Sequence, residues 1–360
     1  MSSRSTISVH ILTGFLGSGK TTLLNRVLSS SFGFGAETAI IVNEFGDIAL
    51  DQMFIQERSE ETIVLKSGCI CCSIRTDLVS TLKQLAAMSD ERPSPFKRIV
   101  IETSGISDPA PILITLRSDF NLLTRFHVGS TVCVVDATAA CDERAESMAQ
   151  LAAGDACVVT KRDLLEQHRP GDVEDSIRAL NPTAVILSPD ELASWFELKD
   201  APSLDIADRL ADLEPRVSAP ASSHSIRSIV LRVASPQSWP NFAVWLSALV
   251  FQHGDKILRM KGLLYDQDRG AWIAVHGVRR FLHPPEHLQL IRPPMHGACL
   301  VFITEKLDPA LIARSYRHWV LSENEPSALA CNEVEAIQVT PEFLAMVPVI
   351  HQGVVDDLEF

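Results

Sequence analysis

Apolar residues in the first half of the chain form short continuous runs, and stretches with helical spacing separate these runs. Runs rich in Ile and Val are typical of parallel strands that are covered on both faces. Strands are expected at residues 8–13, 38–42, 62–65, 99–102, 131–135, 156–159 and 184–187. Leu78, Leu82 and Leu85 recur at helical spacing and predict a helix over residues 75–88. This alternation predicts an α/β domain with a mostly parallel sheet.

The pattern changes after about residue 200. Residues 218–224 are small and polar, contain a proline and lack apolar periodicity, so they are the predicted linker. The alternative is a long surface loop inside one domain. The expected domains are residues 1–217 and 225–360. In the second we expect strands at 226–233, 257–265, 272–278 and 299–304, with helices at 239–251 and 309–319. That order predicts a smaller α+β domain with a mostly antiparallel sheet.

Charge and composition limit the class of partner. The net charge of −13 argues against a nucleic acid or an anionic membrane as the main partner. No stretch approaches the about 20 apolar residues of a membrane span. A phosphate-binding motif begins at Gly14, so we expect no cleavable signal peptide and a cytoplasmic location. In that reducing compartment, clustered cysteines among the eight would indicate a metal site or redox chemistry.

The phosphate-binding motif follows the first predicted strand. Residues 14–21, GFLGSGKT, match the pattern G-x-x-x-x-G-K-[ST], which predicts a P-loop (phosphate-binding loop). Its turn lets successive backbone N–H groups point at a triphosphate. The residues of this turn are Gly14, Gly17, Ser18 and Gly19. Lys20 would reach the β- and γ-phosphates, and the Thr21 hydroxyl would bind Mg²⁺. A glycine-rich turn that binds nothing is the alternative, but the helical pattern that follows favours nucleotide binding.

A second apolar strand ends in an acid. The run at residues 98–102 finishes at Glu102, and in P-loop proteins such a strand delivers a carboxylate to the Mg²⁺ shell. Gly105 would let the backbone come close to the γ-phosphate, as in a nucleotide-sensing switch. A buried strand with an exposed polar end is the alternative.

Residues 160–163, TKRD, resemble the guanine-reading motif [NT]-K-x-D. The Asp163 carboxylate would accept hydrogen bonds from N1–H and the 2-amino group of guanine. Adenine offers neither donor, so a buried carboxylate would stay unpaired against ATP. The Lys161 stem would pack along the base. Thr160 replaces the commoner Asn and would weaken one polar contact. An ordinary charged loop is the alternative.

Three cysteines lie within four residues, at Cys69, Cys71 and Cys72. Thiolates favour zinc and related ions, and an incomplete tetrahedral set suits a site that releases its metal. The fourth ligand would be Glu44, a water or a residue of the receiving protein. Buried structural cysteines are one alternative, and a redox pair of Cys69 and Cys72 is another.

The segments GFLGSGKTT, NEFGDIALD, GCICC, IETSGISDPAP, CVVDA and TKRD together resemble the CobW-type family of P-loop GTPases over residues 9–163. LRMKG at 258–262 and HGV at 276–278 are weaker echoes of its C-terminal domain. The resemblance implies a GTP-hydrolysing metallochaperone that inserts zinc, cobalt or iron into a client metalloprotein. It implies metal ligands at the three cysteines and Glu44, and nucleotide contacts from residues 17–22, including Thr22, and from Asp163.

Two other classes of function stay open at this point. One is an ATP- or GTP-dependent small-molecule kinase or biosynthetic enzyme, which would need an acceptor pocket. The other is a nucleotide-binding thiol redox sensor. For GTP hydrolysis, the catalytic candidates are Lys20, Thr21 and Glu102. The sequence identifies no arginine finger, so intrinsic hydrolysis is expected to be slow.

Overall fold

The computed structural model of the chain describes most of both halves. The described residues are 6–29, 37–44, 62–66, 73–139, 144–165, 171–197, 210, 216–217, 226–233, 239–266, 269–288 and 298–321. The chain divides into two compact units, Met1–Pro202 and Ser203–Phe360. Across these described ranges, no helix combines the length and the apolar character needed to cross a membrane.

The first unit is built on a sheet in which all seven described strands run parallel. These strands are β1 (Ile7–Thr13), β2 (Thr38–Glu44), β3 (Thr62–Lys66), β4 (Arg98–Glu102), β5 (Phe126–Asp136), β6 (Ala156–Thr160) and β7 (Val185–Leu187). Their order across the sheet is β3-β2-β4-β1-β5-β6-β7. Every residue of β1 and β4 is buried, as expected for strands covered on both faces.

Helices cover this sheet. They are Lys20–Ser29, Ser73–Glu91, Ala110–Ser118, Phe120–Leu123, Ala145–Ala153, Asp172–Leu180 and Leu192–Glu197, with 3₁₀ turns at Ala137–Ala139, Arg162–Leu164 and Pro189–Glu191. Leu24 of the first helix packs against Leu12 of β1 and Val100 of β4 in one apolar cluster. The α/β fold with a parallel sheet, predicted from the sequence, is confirmed. Because the strands are parallel, their carboxyl ends all meet at one edge.

The second unit contains an antiparallel sheet. Its strands are β8 (Arg216–Val217), β9 (Ile226–Val233), β10 (Ile257–Asp266), β11 (Ala271–Val278), β12 (Phe281–Leu282), β13 (Glu286–Leu288) and β14 (Ala298–Glu305), in the order β12-β11-β10-β14-β9-β8 with β13 beside β11. The helices are Trp239–His253 and Pro309–Tyr316, followed by a π turn at Arg317–Leu321, and Gly254–Lys256 is a 3₁₀ turn. Phe242, Trp245 and Phe302 are central to its core. The smaller α+β domain is thereby confirmed.

Strand β8 lies just before the predicted linker. β8 pairs with β9, so Arg216–Val217 is part of the second sheet. The predicted linker, residues 218–224, lies outside the described residues. The division into residues 1–217 and 225–360 therefore stays a prediction.

Candidate functional site

The P-loop connects the end of β1 to the first helix and depends on its glycines. Gly14, Gly17 and Gly19 all have positive φ, at 142°, 76° and 92°. A Cβ at Gly14 would lie 2.3 Å from the carbonyl oxygen of Val134, so no larger residue fits there. Ser18 is 1% exposed beneath the loop. The motif that the sequence predicted therefore forms a tight turn at the carboxyl edge of the sheet.

The Lys20 side chain lies inside the P-loop and binds its backbone. Its side chain is only 8% exposed. The Nζ atom donates hydrogen bonds to the carbonyl oxygens of Gly14 at 2.8 Å and Phe15 at 3.1 Å. These bonds offset part of the cost of burying the ammonium group. They also hold the ammonium charge within the turn in which a triphosphate would sit. Thr22, the third residue of the helix, is exposed.

Thr21 and Glu102 meet across the sheet edge. The Thr21 hydroxyl donates a hydrogen bond of 2.6 Å to Oε1 of Glu102, although the two residues are 81 positions apart. Glu102 is 4% exposed at the end of β4. A hydroxyl beside a carboxylate is a hard oxygen donor set, which fits Mg²⁺. The geometry thus brings together the two residues that the sequence proposed for this ion.

The segment after Glu102 rests against the P-loop. The Thr103 backbone N–H donates to the carbonyl of Leu12 at 2.9 Å, and its hydroxyl donates to the Thr13 hydroxyl at 2.9 Å. A Cβ at Gly105 would lie 2.7 Å from the backbone nitrogen of Leu16. Only glycine can approach the P-loop this closely.

Thr160 joins the TKRD segment, residues 160–163, to the P-loop. Its hydroxyl donates to the carbonyl oxygen of Ser18 at 2.7 Å and lies 3.2 Å from that of Val135. A hydroxyl has one proton, and the shorter contact to Ser18 is the better hydrogen bond. The sequence predicts Thr160 only as a weakened base contact, because its partner Ser18 is 142 positions away and no local pattern indicates the hydrogen bond.

Lys161 is oriented by Asp136, a residue that the sequence argument did not place in the site. Lys161 has a positive φ of 55°, and its Nζ lies 2.6 Å from Oδ2 of Asp136. Burial alone would raise the pKa of Asp136. Hydrogen bonds from Lys161 and Thr138 outweigh that effect and leave this pKa below its ordinary value. The pair fixes the lysine stem beside the motif.

Asp163 lies in the 3₁₀ turn Arg162–Leu164, and its side chain is exposed. The expectation of a buried carboxylate at this position is not met, because the Asp163 side chain is exposed. Because water can solvate Asp163, the penalty for placing adenine beside it is smaller than that for a buried acid.

The same sheet edge also includes the ends of β2 and β3. Val42 of β2 and Leu12 of β1 both pair with Glu102, and β2 continues two residues further to Glu44. Glu44 pairs with Lys66, the last residue of β3. The backbone of Glu44 is therefore beyond the level of Glu102 on the same edge. Its side chain lies outside the described part of the structure.

The three cysteines of the predicted metal site, Cys69, Cys71 and Cys72, also lie outside the described residues. Within the described ranges, no group of three or more His, Cys, Asp or Glu side chains is arranged to hold a metal ion. The metal ligands therefore stay a prediction.

Comparisons with known proteins agree with this geometry. Residues 8–188 match the family model described as CobW/HypB/UreG, nucleotide-binding domain. Residues 226–318 match the model of the cobalamin synthesis protein cobW C-terminal domain. Together these matches cover both units of the chain.

Individual relatives extend over both halves. The zinc chaperone YjiA of Escherichia coli strain K12 is 30% identical over an alignment of 280 residues, which covers 76% of this chain and 86% of that protein. The zinc chaperone CobW of a Sinorhizobium species is 26% identical, over 71% of this chain and 80% of that protein. The crystal structure of Zn(II)-bound YjiA GTPase from E. coli is 23% identical, with a TM-score of 0.62, over 88% of this chain and 99% of that one. At that identity, the structural likeness supports the fold alone. With both family models matched, the chain belongs to the CobW family of P-loop GTPases.

Proposed function

We propose that this chain is a GTP-hydrolysing metallochaperone that binds a transition metal through Cys69, Cys71 and Cys72, with Glu44, and delivers it to a client metalloprotein. The main support is a shared sheet edge. The P-loop leaves β1, Glu102 ends β4, Glu44 ends β2, and the segment with the cysteines follows β3. Zinc is the first candidate cargo, ahead of cobalt and iron, because relatives covering most of this chain are named zinc chaperones.

The strand order and the length of the chain limit the distance between the proposed metal site and the P-loop. β3 and β1 are separated by β2 and β4, so three strand spacings, about 14 Å, lie between their ends. Cys69 is the third residue after Lys66, which allows at most about 11 Å between their Cα atoms. The Cα atom of Cys69 would then lie no more than about 25 Å from the end of β1, so the metal site and the P-loop would share one edge of this unit.

Hydrolysis of GTP would use charge and positioning. Lys20 is already inside the P-loop and would turn from its two carbonyl partners to the β- and γ-phosphates. Thr21 and Glu102 would hold Mg²⁺, which neutralises charge on the phosphates when bound. The chain's own groups would orient the phosphoryl group for attack by water. The hydrogen bond between Thr21 and Glu102 would break during this rearrangement.

Recognition of guanine would come from Asp163 and Lys161. Asp136 already holds the Lys161 ammonium group, so the stem would lie along the base with little further ordering. Exposed Asp163 would be desolvated only when a base covers it. We therefore expect GTP to be preferred over ATP, but by less than for a site with a buried acid.

Purified full-length protein tests this function in one experiment. Release of phosphate from GTP and ATP is measured with Mg²⁺, while zinc retained through gel filtration is measured in parallel. We expect slow hydrolysis of GTP in preference to ATP, and retained zinc that Cys71→Ser lowers. Lys20→Ala controls for contaminating hydrolases and should abolish phosphate release.

Two results would contradict the proposal. Transfer of phosphate from ATP to a small molecule would indicate a kinase. A disulfide between Cys69 and Cys72 in mild oxidant, with no zinc retained under reducing conditions, would indicate a redox sensor.

A further inference from the structure

Gln150 is a buried amide that no sequence motif identified. It lies in the helix Ala145–Ala153 and is 0% exposed. Its Nε2 atom donates to the carbonyl oxygens of Gly105 at 3.1 Å and Ser107 at 3.0 Å. A rotated amide would set its oxygen against those two carbonyls, so these contacts determine its orientation. Gln150 is therefore bound to the segment that follows Glu102.

Both contacts fall on one turn, Ser104 to Ser107. The Ser107 N–H donates to the Ser104 carbonyl at 3.2 Å, which closes the turn. The Ile106 N–H lies 3.4 Å from the Ser104 hydroxyl oxygen, while Gln150 binds the Gly105 carbonyl. Because a peptide group is planar, contacts at both ends fix the plane between Gly105 and Ile106.

The helix that carries Gln150 is itself anchored. The side-chain amide of Asn181 donates to the carbonyls of Leu151 at 2.9 Å and Gly154 at 2.8 Å, which satisfies the end of the helix. At the other end, the Arg144 guanidinium carbon lies 3.7 Å from the centre of the Phe15 ring. The helix thus contacts the P-loop directly and holds the Ser104–Ser107 turn through Gln150.

We propose that Gln150 is a positioning residue for GTP hydrolysis, and that its amide holds the Ser104–Ser107 turn against the P-loop. This inference rests on the proposed GTPase function and assigns it a further residue. Gly105 is packed against Leu16, and Glu102 is three residues earlier on the same segment. Loss of the amide would let the turn move away from the terminal phosphate. The P-loop and base motif, which would provide most of the nucleotide affinity, would keep their own contacts.

The test compares wild type with Gln150→Leu, which keeps the approximate volume and removes both donors. Steady-state GTP hydrolysis and GDP affinity are measured on full-length protein. We expect kcat to fall by about 10- to 100-fold, because small displacements near a reacting group have effects of this size. GDP affinity should stay within about twofold of wild type, since that product lacks the terminal phosphate.

Gln150→Glu provides a second measurement, the pH dependence of kcat, which should not change if the role of Gln150 is purely structural. Burial would raise the pKa of the introduced carboxyl, and its protonated form would donate one hydrogen bond. Its kcat relative to wild type should therefore rise as the pH falls from about 8 to about 6. Gln150→Leu should show no such recovery.

Ile177→Ala is the matched control for lost stability. Ile177 lies on a different helix, Asp172–Leu180, is 1% exposed and belongs to an apolar cluster with Cys157 and Val159 of β6. Equal kcat in wild type and Gln150→Leu, or an equal loss in Ile177→Ala, would overturn the positioning role while GTP hydrolysis by wild type stands. A wild-type chain that binds GTP without hydrolysing it would overturn the proposed function and this inference together.

Discussion

Replacing Thr160 with valine tests how the P-loop is held ready for nucleotide. The Thr160 hydroxyl donates to the Ser18 carbonyl at 2.7 Å, and its methyl carbon lies 3.8 Å from the position of a Cβ built on Gly19. Valine keeps the shape and a methyl group at this position while removing the donor. The change therefore isolates one hydrogen bond between the base motif and the P-loop.

The expected loss of nucleotide affinity follows from the Ser18 carbonyl, which is left without its hydrogen-bond donor. A neutral hydrogen bond contributes about 1 kcal/mol, and a buried carbonyl without its donor costs about 1–3 kcal/mol. The Ser18 carbonyl is only partly buried, so we expect a loss of about 1.4 kcal/mol. If the whole of this loss falls on the nucleotide-binding arrangement of the loop, the apparent dissociation constant for nucleotide rises by up to about tenfold.

Titration with a fluorescent GDP analogue measures this constant directly. Thr160→Ser is the matched control, because it keeps the hydroxyl and loses only the methyl group, and it should bind within about threefold of wild type. Thr160→Asn should also bind well if its amide can reach the same carbonyl. Affinity in Thr160→Val equal to that of wild type would refute the tether.

Three further predictions concern other charged or titrating groups. Glu102→Gln removes the charge facing Thr21, and kcat for GTP at saturating Mg²⁺ should fall at least about tenfold, with unchanged kcat counting against the assigned role. Asp136→Asn removes the partner of Lys161, and titration should give an affinity for GDP about threefold weaker, because partly exposed ion pairs contribute up to about 1 kcal/mol. Burial and the nearby charges lower the pKa of His10 to about 3, from 6.5. Below about pH 6.5 the unfolded chain binds a proton that the folded chain does not, so the unfolding free energy in urea should fall by about 2 kcal/mol between pH 6.5 and pH 5 from this residue. His10→Asn should show a shallower slope, and an equal slope would contradict the assignment.

Strand positions were largely predictable because parallel strands buried on both faces appear as continuous apolar runs. In the second sheet, the short strands β8, β12 and β13 were not predicted. In the first sheet, β5 is the main exception, since the pattern predicts its start at residue 131 and the strand begins at Phe126. The missed part contains His127, which lies 3.0 Å from the Ser8 hydroxyl on β1. It also contains Gly129, which leaves room for the His10 ring. These partners are more than a hundred residues away in sequence, so no local pattern indicates them.

The residues of the candidate site also divide into those that the sequence predicted and those that it did not. The P-loop and Glu102 belong to short motifs whose spacing reflects the chemistry of phosphate and Mg²⁺, and the structure brings Thr21 and Glu102 together. Gln150 belongs to no such motif, and its contact with Gly105 joins residues 45 positions apart. Likewise, the hydrogen bond from Thr160 to Ser18 depends on the end of β6 lying beside the P-loop, which no local pattern indicates. Sequence spacing predicts groups that touch a ligand more readily than groups that hold other groups in place.

Zinc affinity measured with and without nucleotide tests the central claim most directly. The full-length chain is titrated with a competing zinc chelator, alone and with Mg²⁺ and a non-hydrolysable GTP analogue, and the analogue is titrated with and without zinc. If the proposed metal and nucleotide sites are coupled, they should change each other's affinity by the same factor, about tenfold or about 1.4 kcal/mol. Cys71→Ser should remove the effect of zinc on the analogue. Identical zinc affinities in the two conditions would contradict the account.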